Sequence, residues 1–391
     1  DMLGSGRSKL ESQEDFAKCV EVMRGHQMQT LVIIGGDDSN TNAAVLSEYL
    51  AQKGINDLFV IGVPKTIDGD LQNDYLQTSF GFDTAEKLYS ELVSNISRDA
   101  LSAKKYYHFI RLMGRAASHI TFDVALQTHA NITLISEEVA AQQKTLQQIV
   151  KEMGDVIIER AARGKNYGVV LVPEGLIEYI PEFNLLITDL NRLMAQHSEY
   201  IATLADFSQK SEYINQKLSK DASYTLSGLP LRMQKQLLSS RDPHGNVQVS
   251  LIETEKLIIE MLQLYLREQK TEGTYRGKFA YQAHFLGYEG RCAAPTNFDA
   301  NYAYALGRTV AALVVQKVNG YMAVVNRLEK DPSEWQALGV PLISMMNIET
   351  RCAKPVAVIK KSLVRLEGPA YDYFMKHREK WALEDEYRNT E

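Results

Sequence analysis

The sequence predicts an α/β protein with a mostly parallel sheet, helices on both of its faces and a helical insertion. Two observations carry this prediction. From residue 30 to residue 173, short apolar runs rich in β-branched residues alternate with longer segments of helical periodicity, which is typical of a parallel sheet. After Pro181 the pattern becomes predominantly helical as far as about Gly273, and we assign this stretch to an insertion in the α/β frame.

The elements are assigned from the spacing of apolar residues. Strands are predicted at 30–34, 58–63, 107–113, 132–136 and 167–172, and the helices between them at 41–53, 82–95, 116–127 and 144–163. Further helices are predicted at 183–195, 229–238, 251–269 and 298–318. Strand and loop character returns at Lys278, and the chain closes with 381–387.

Composition excludes several classes of protein. The 391 residues are enough for two or three domains, and the net charge of -6 argues against nucleic-acid binding, which needs a basic face. No apolar run approaches the roughly 20 residues that span a bilayer, so we expect no membrane contact. The three cysteines lack the spacing of a disulfide framework or a zinc site, which favours a cytoplasmic protein.

Conspicuous polar loops follow four of the predicted strands. In an open parallel sheet such loops gather at the carboxyl edge, where ligands bind. Together they hold carboxylates, a lysine, an arginine and glycines that let a ligand approach the backbone. The loops are 35–40 (GGDDSN), 64–70 (PKTIDGD), 113–115 (MGR) and 173–175 (PEG).

The first loop, with Gly35 and Gly36 before a helix, offers N–H groups and a positive helix end to an anion. Asp37 and Asp38 would repel a bare phosphate, so they favour a site in which Mg²⁺ lies between carboxylate and phosphate. The alternative is that Asp38 and Ser39 only cap the helix. This loop alone does not decide between the two.

The loop at 64–70 indicates phosphoryl transfer more directly. Lys65 can hold a phosphoryl group in transfer, and Asp68 can accept a proton from an attacking hydroxyl. Asp68 and Asp70 on either side of a glycine would also fit an exposed turn. Beside the acidic first loop, phosphoryl transfer is the better account.

A further glycine turn at 287–291 ends in Arg291, whose guanidinium can bind a phosphate through parallel N–H donors. A purely structural turn is equally consistent with the spacing. The eight histidines show no paired spacing of metal ligands, and we assign none of them to a metal.

Together and in this order, the motifs resemble the pyrophosphate-dependent branch of the phosphofructokinases. The resemblance extends over nearly the whole chain, including the helical insertion and residues 241–249 within it. It is closest to the long form typified by the plant catalytic β subunit. The matching motifs are 4–7 (GSGR), 35–39 (GGDDS), 64–70 (PKTIDGD), 113–115 (MGR), 173–175 (PEG) and 288–291 (YEGR).

The resemblance implies two Rossmann-like parallel-sheet domains around a cleft. Residues 1–101 with 298–391 would form a larger phosphoryl-donor domain, residues 102–180 with 277–297 a sugar-phosphate domain, and residues 181–276 the helical insertion. It also implies reversible, Mg²⁺-dependent phosphoryl transfer from pyrophosphate to the 1-hydroxyl of fructose 6-phosphate. The products would be fructose 1,6-bisphosphate and phosphate, a step of glycolysis.

The resemblance also implies roles for single positions. The catalytic positions are Asp68 as proton acceptor, Arg7, Thr66 and Asp70; the phosphate loop is Gly35 with Gly36, and the metal position is Asp37. The implied substrate contacts are Thr66, Ile67, Asp68, Lys105, Tyr106, Met113, Gly114, Arg115, Glu174, Tyr288, Glu289, Gly290 and Arg291. Lys105 and Tyr106 match a contact that the family takes from a neighbouring subunit. We therefore expect a homo-oligomer, or a heteromer with a regulatory subunit.

Asp38 and Lys65 indicate pyrophosphate as the donor. In ATP-dependent relatives both positions are glycine. A carboxylate at position 38 would fill space and place negative charge where an α-phosphate must lie. Lys65 instead supplies a compact cation for the terminal phosphate of a shorter donor.

The family begins with a strand and a Gly-Gly loop well before the position of Arg7, and this sequence does not contain that segment. We therefore expect one piece of a longer or nicked protein, or a missing part that is a separate chain. Residues 1–391 alone should then be poorly active. Two alternatives remain: an ATP-dependent phosphofructokinase, and a non-catalytic regulatory subunit. A regulatory subunit would be expected to lose the base or the metal carboxylate, and both are present here.

Overall fold

The computed structural model describes residues 6, 10, 12–204, 206–239, 247, 251–351 and 354–389. Arg7, together with Gly4 and Ser5 of its motif, lies outside the described residues, as do 241–246 and 248–249 of the later motif. The strands are β1 (Thr30–Gly35), β2 (Phe59–Pro64), β3 (Tyr107–Leu112), β4 (Ile132–Thr133), β5 (Gly168–Pro173), β6 (Tyr281–Leu286), β7 (Tyr321–Asn326), β8 (Gln336–Pro341), β9 (Met346–Arg351) and β10 (Lys354–Ile359).

The helices include each segment to which the periodicity assigns a helix; most limits shift by a few residues, but the helices predicted at 82–95 and 183–195 extend eight residues beyond their predicted ends. They are α1 (Gln13–Gly25), α2 (Asp37–Gln52), α3 (Phe82–Ala103), α4 (His119–Thr128), α5 (Ser136–Ala141), α6 (Leu146–Ala162), α7 (Pro181–Thr203), α8 (Phe207–Lys217), α9 (Lys220–Gly228), α10 (Leu231–Ser239), α11 (Thr254–Thr271), α12 (Tyr288–Arg291), α13 (Asn297–Val315) and α14 (Pro369–Leu383). In the part of the chain that the structure describes, no helix has the length and apolar character that crossing a bilayer requires.

The chain divides into two compact units. Unit 1 contains Asp1–Thr84 and Ala294–Ser362, and unit 2 contains Ala85–Ala293 and Leu363–Glu391. Each unit has its own four-stranded sheet, and most neighbouring strands are parallel. The predicted α/β class is therefore confirmed.

The sheet of unit 1 has the strand order β1-β2-β7-β8 and carries a helix on each face. Val60 of β2 packs with Leu46 and other apolar residues of α2, whereas the next residue, Ile61, packs with Leu306 and other residues of α13. This alternation follows from the two-residue period of a strand. The helices thus cover both faces, as predicted.

The sheet of unit 2 has the order β4-β5-β3-β6, and every pair in it is parallel. All six residues of β3 and of β5 are buried, which is typical of strands covered on both faces. The predicted insertion is indeed helical, and α7 and α11 share one apolar core with α6, β3 and β5. It therefore packs as part of unit 2.

The limits of the compact units differ from the predicted domain limits at the carboxyl end of the chain. We predicted 298–391 in the donor domain, but residues after 362 belong to unit 2. The physical reason is a set of buried polar contacts: Asn131 Nδ2 donates to Trp381 O at 2.8 Å, and Arg160 forms an ion pair with Asp385 at 2.8 Å. A second difference lies in α3, where the division follows Thr84 instead of residue 101.

Candidate active site

Two of the predicted loops meet at the carboxyl edge of the unit 1 sheet. Strands β1 and β2 are parallel and end in register, with Gly35 opposite Pro64. Beyond that pair, the Lys65 N–H donates to Gly35 O at 2.8 Å. The structure therefore places the loop that begins at Gly36 beside the loop that begins at Lys65.

The glycines allow this close approach. A Cβ atom on Gly35 would lie 2.4 Å from the Cβ of Ser39, closer than side-chain atoms can come. A Cβ on Gly36 would fill the space next to Lys65 O, at 3.7 Å. Gly35 is thus required by the turn from β1 into α2, whereas a Cβ on Gly36 would make only an ordinary contact and would narrow the space that a ligand could use.

Asn40 holds the two loops together. Its side chain is fully buried, and its Nδ2 donates to Gly35 O at 2.7 Å and to Gly36 O at 2.9 Å. A longer contact of 3.3 Å reaches Val63 O at the end of β2. Sequence analysis did not assign Asn40 a role; its only signal is a polar residue at a position that the helix buries.

Helix α2 begins at Asp37, and the residue at its N-cap is Gly36, which forms no side-chain cap. Asp37 and Asp38 therefore lie in the first turn, and the alternative in which Asp38 caps the helix is wrong. Carboxylates in a first turn interact favourably with the helix dipole. Asp37 is half-buried and Asp38 is exposed.

A lysine far away in the sequence completes an ionic cluster with two of these carboxylates. Lys361 Nζ lies 3.3 Å from Asp37 Oδ2 and 3.6 Å from Asp70 Oδ2. Asp70 is buried, and burial raises its pKa to about 6, with the carboxylates of Asp68 and Asp37 adding to the rise and Lys361 opposing it. Sequence analysis missed Lys361 because no motif surrounds it.

The rest of the 64–70 loop is fixed by hydrogen bonds between side chains and its backbone. The Asp68 N–H donates to Thr66 Oγ1 at 3.1 Å, and Ser79 Oγ donates to Thr66 O at 2.9 Å. Ile67 is buried and Asp68 is half-buried. This loop is therefore an ordered part of the sheet edge, and the alternative of an exposed turn is wrong.

The residues of this cluster suit a hydrated divalent cation that arrives with a phosphate. Among the described residues, no group of three or more His, Cys, Asp or Glu side chains is arranged to enclose a metal. Mg²⁺ is commonly held by one or two carboxylates together with substrate phosphates. Asp37 and Asp70, which already converge on one ammonium group, fit that requirement.

The other predicted loops meet at the carboxyl edge of the unit 2 sheet. Leu112 of β3 is opposite both Pro173 of β5 and Leu286 of β6, so the three strands end at the same level. The Met113 N–H donates to Leu286 O at 3.1 Å, and the Glu174 N–H to Leu112 O at 3.0 Å. Loops 113–115, 174–175 and 287–291 thus start side by side.

Glu174 is buried at the centre of this edge. Its Oε2 accepts a hydrogen bond from the Gly114 N–H at 3.2 Å. Burial raises the pKa of Glu174, while that hydrogen bond and the positive charges of Arg111, Arg115 and Arg291 oppose the rise. Arg111 is ion-paired with Glu255 at 2.9 Å, so Arg115 and Arg291 are the two arginines near Glu174 that suit a sugar phosphate.

Backbone packing fixes the loop that carries Arg115. A Cβ on Gly175 would lie 1.8 Å from Arg115 O, so only glycine fits there. Gly114 has φ 127°, a conformation that other residues rarely adopt. The Arg115 side chain is exposed at the sheet edge, where it can reach a ligand.

The turn at 287–291 forms the short helix α12. Glu289 accepts a hydrogen bond from the Gly287 N–H at 2.9 Å, so its side chain serves the turn. Tyr89 Oη donates to Gly287 O, and a Cβ on Gly290 would lie 2.3 Å from the Tyr89 ring. Tyr89, to which sequence analysis assigned no role, therefore supports the turn. The exposed side chains of Tyr288 and Arg291 lie together, with the guanidinium 5.9 Å from the ring centre.

Lys105 and Tyr106 lie at the opposite end of the sheet. They immediately precede β3, whereas Met113 follows it. Six residues of strand separate the two ends by about 20 Å. One copy of the chain therefore does not bring Lys105 to the loop of Arg115.

The remaining predicted residues fall into two groups, one at the edge of each sheet. In unit 1 these are Gly35, Gly36, Asp37, Asp38, Lys65, Thr66, Ile67, Asp68 and Asp70. In unit 2 these are Met113, Gly114, Arg115, Glu174, Tyr288, Glu289, Gly290 and Arg291.

Comparison with known proteins gives consistent matches. The sequence model of the family described as Phosphofructokinase matches residues 1–314. A protein of Treponema pallidum named pyrophosphate–fructose 6-phosphate 1-phosphotransferase is 52% identical over 99% of this chain and 67% of its own length. A protein of Arabidopsis thaliana named subunit beta 2 of the same enzyme is 48% identical over 99% of this chain and 66% of its own length.

A solved structure shows the same fold. The pyrophosphate-dependent phosphofructokinase from Nitrosospira multiformis aligns with a TM-score of 0.53 at 17% identity, over 85% of this chain and 63% of that one. The chain spans about two thirds of the length of the relatives that it matches. The resemblance and the fold that the motifs predict are confirmed.

Proposed function

Because the chain belongs to the phosphofructokinase family, we propose that it transfers a phosphoryl group from pyrophosphate to the 1-hydroxyl of fructose 6-phosphate. The products are fructose 1,6-bisphosphate and phosphate, and the reaction is reversible. One observation carries the proposal most directly. At the edge of the unit 1 sheet, two adjacent loops carry Lys65, a helix N-terminus and the carboxylates of Asp37, Asp68 and Asp70. Lys361 pairs with two of these carboxylates.

Asp68 is the proton acceptor. As the sugar 1-oxygen attacks phosphorus, its proton passes to the Asp68 carboxylate, and the bond from that phosphorus to the bridging oxygen of pyrophosphate breaks. Thr66 fixes the backbone of Asp68 through its hydroxyl, which is the positioning that proton transfer needs. The carboxylate of Asp68 helps to raise the pKa of Asp70, so the two side chains lie close enough to interact.

Magnesium is the cofactor that the acidic cluster suits, with Asp37 as a ligand and Asp70 beside it. Bound there, Mg²⁺ supplies positive charge that offsets the developing charge on the phosphate oxygens. The protein contributes the carboxylates at a helix N-terminus and a glycine loop that admits the phosphates.

Asp38 and Lys65 determine the donor. Asp38 is exposed in the first turn of α2, where an ATP α-phosphate would have to lie. Lys65 follows β2 directly and adjoins the glycine loop, so that its ammonium group can bind the terminal phosphate of pyrophosphate. These features disfavour the ATP-dependent alternative.

The loops of unit 2 bind fructose 6-phosphate. Arg115 and Arg291 supply the charge for its phosphate, with Tyr288 beside Arg291. Glu174, buried and held by Gly114, is suited to a sugar hydroxyl. Arg7 is proposed to act on the transferred phosphate.

The active protein is an oligomer in which Lys105 and Tyr106 complete the sugar-phosphate site of a neighbouring copy. Their place at the far end of β3 supports this arrangement. A heteromer is supported by the relative named a beta subunit. We also propose that the enzyme is cytoplasmic.

A coupled assay of the full-length, unfragmented protein tests the function, with fructose 6-phosphate, Mg²⁺ and either pyrophosphate or ATP. We expect product with pyrophosphate and not with ATP. The double variant Asp38→Gly with Lys65→Gly should use pyrophosphate less well, whereas Asp57→Gly with Lys53→Gly, a matched exposed pair, should behave as the wild type. Product with ATP alone would overturn the donor assignment. Activity with neither donor would favour the regulatory-subunit alternative.

A further inference from the structure

Lys361 is held in place more firmly than a surface lysine. The backbone on both sides of it is anchored by hydrogen bonds within unit 1. The Ile359 N–H donates to Thr41 Oγ1 at 3.1 Å, and the Lys360 N–H to Met345 O at 3.3 Å. The Ser362 N–H donates to Asp70 O at 2.7 Å, which fixes the chain to the catalytic loop itself.

The Lys361 ammonium group lies among the carboxylates of the acidic cluster. Only about a quarter of the Lys361 side chain is exposed, and its ammonium group lies within ion-pair distance of both Asp37 and Asp70. The neighbouring Lys360 is exposed, by contrast. The two carboxylates therefore share Lys361 as a positive partner.

An ammonium group and a divalent cation cannot occupy the same place between two carboxylates. We propose that Lys361 is the internal counter-ion of the Asp37–Asp70 pair, and that a divalent cation must displace it. This lysine keeps the carboxylates from binding a cation tightly until pyrophosphate supplies further ligands. The inference rests on the proposed function, because it takes this pair as the cation-binding part of the donor site.

The test measures the affinity of the full-length protein for Mn²⁺, with and without pyrophosphate. Electron paramagnetic resonance detects the binding. Without pyrophosphate, Lys361→Met and Lys361→Gln should bind Mn²⁺ about tenfold more tightly than the wild type, because the competing charge is gone. Pyrophosphate should then increase the affinity less in these variants than in the wild type. Lys361→Arg, which keeps the charge, and Lys360→Met, which removes the exposed neighbour, should match the wild type.

Equal or weaker Mn²⁺ binding by both neutral variants would overturn the proposal, and so would an absence of Mn²⁺ binding in every protein. A merely structural role for Lys361 would lower thermal stability without tightening Mn²⁺ binding. Turnover of the wild type with pyrophosphate is measured in parallel. Its absence would count against the proposed function, whereas unchanged Mn²⁺ affinity would count against the role of Lys361 alone.

Discussion

Asp68 is the residue on which the proposed chemistry depends most directly. Asp68→Asn keeps the size of the side chain but removes its ability to accept a proton. We expect turnover to fall by about 10²–10⁴-fold, the usual contribution of a general base. Binding of fructose 6-phosphate, measured by calorimetry, should change little, because Arg115 and Arg291, which are proposed to bind its phosphate, are at the edge of the other sheet.

Asp57→Asn is a suitable control for this variant. Asp57 is exposed and pairs only with the exposed Arg24 in the described structure, and such a surface ion pair contributes little. Unchanged turnover in Asp68→Asn would remove Asp68 as the base. Loss of activity in both variants would indicate a general effect of the substitution.

The ionisation of Asp123 in α4 should make the free energy of unfolding depend on pH. Burial, together with the carboxylate of Glu86, raises the pKa of Asp123 to about 7. Its unfolded pKa is about 3.9, so between these values the folded state binds more protons than the unfolded state. The contribution of Asp123 to the free energy of unfolding is therefore complete below about pH 4 and is lost as the pH rises to about 7.

Asp123→Asn should remove this dependence. Between pH 5 and pH 8 the wild type should lose roughly 2 kcal/mol more unfolding free energy than Asp123→Asn, measured by urea unfolding. Asp221→Asn, at an exposed position in α9, should follow the wild type. Parallel pH curves for the wild type and Asp123→Asn would contradict this expectation.

Several supporting residues could not be identified from the sequence. The partners of Lys361 lie about 290 and 320 positions earlier in the chain, and Tyr89 meets a turn about 200 positions later. Local spacing carries no signal of such contacts. Asp68, Lys65 and Arg115, in contrast, follow strands directly, so strand order and loop composition were enough to place them at the sheet edges.

At the scale of elements, the strands in the alternating first part of the chain were predictable, whereas those after residue 320 were not, although β7 is buried between β2 and β8. β1, β2, β3 and β5 are mostly apolar runs, and they agree with the predicted strands within one residue or two. No strand was assigned where β7 to β10 form. β8 is largely exposed and contains Gly339, and β9 carries polar residues, so both depend on pairing with a neighbour.

Substitution of Gly175 tests whether the packing at the end of β5 positions the loop that carries Arg115. In Gly175→Ala the new Cβ would collide with Arg115 O, so the loop that carries Arg115 must shift. We expect the KM for fructose 6-phosphate to rise by about tenfold or more, since small misplacements of a binding group are costly. Steady-state kinetics measure this rise.

Gly228→Ala is the matched control in the same unit. A Cβ there would meet no atom within 4 Å, so both kinetics and thermal stability should stay close to the wild type. An unchanged KM in Gly175→Ala would show that the loop of Arg115 does not set sugar affinity.

At the scale of the whole molecule, the position of Lys105 bears on assembly. Lys105 and Arg115 lie at opposite ends of β3, yet both are assigned to fructose 6-phosphate. If Lys105 serves the site of a neighbouring copy, each site is built from two chains. In a symmetric dimer the two sites then exchange this residue reciprocally.

Mixing two inactive variants tests the exchange. Lys105→Ala and Arg115→Ala should each have low activity alone. When the two chains are co-expressed, activity should return to about a quarter of the wild-type value, because half of the dimers are mixed and one of their two sites contains both native residues. Recovery should disappear when the same purified variants are mixed without subunit exchange. If Lys105 acted within its own chain, no site in a mixed dimer would regain both residues, and co-expression would leave activity at the level of the single variants.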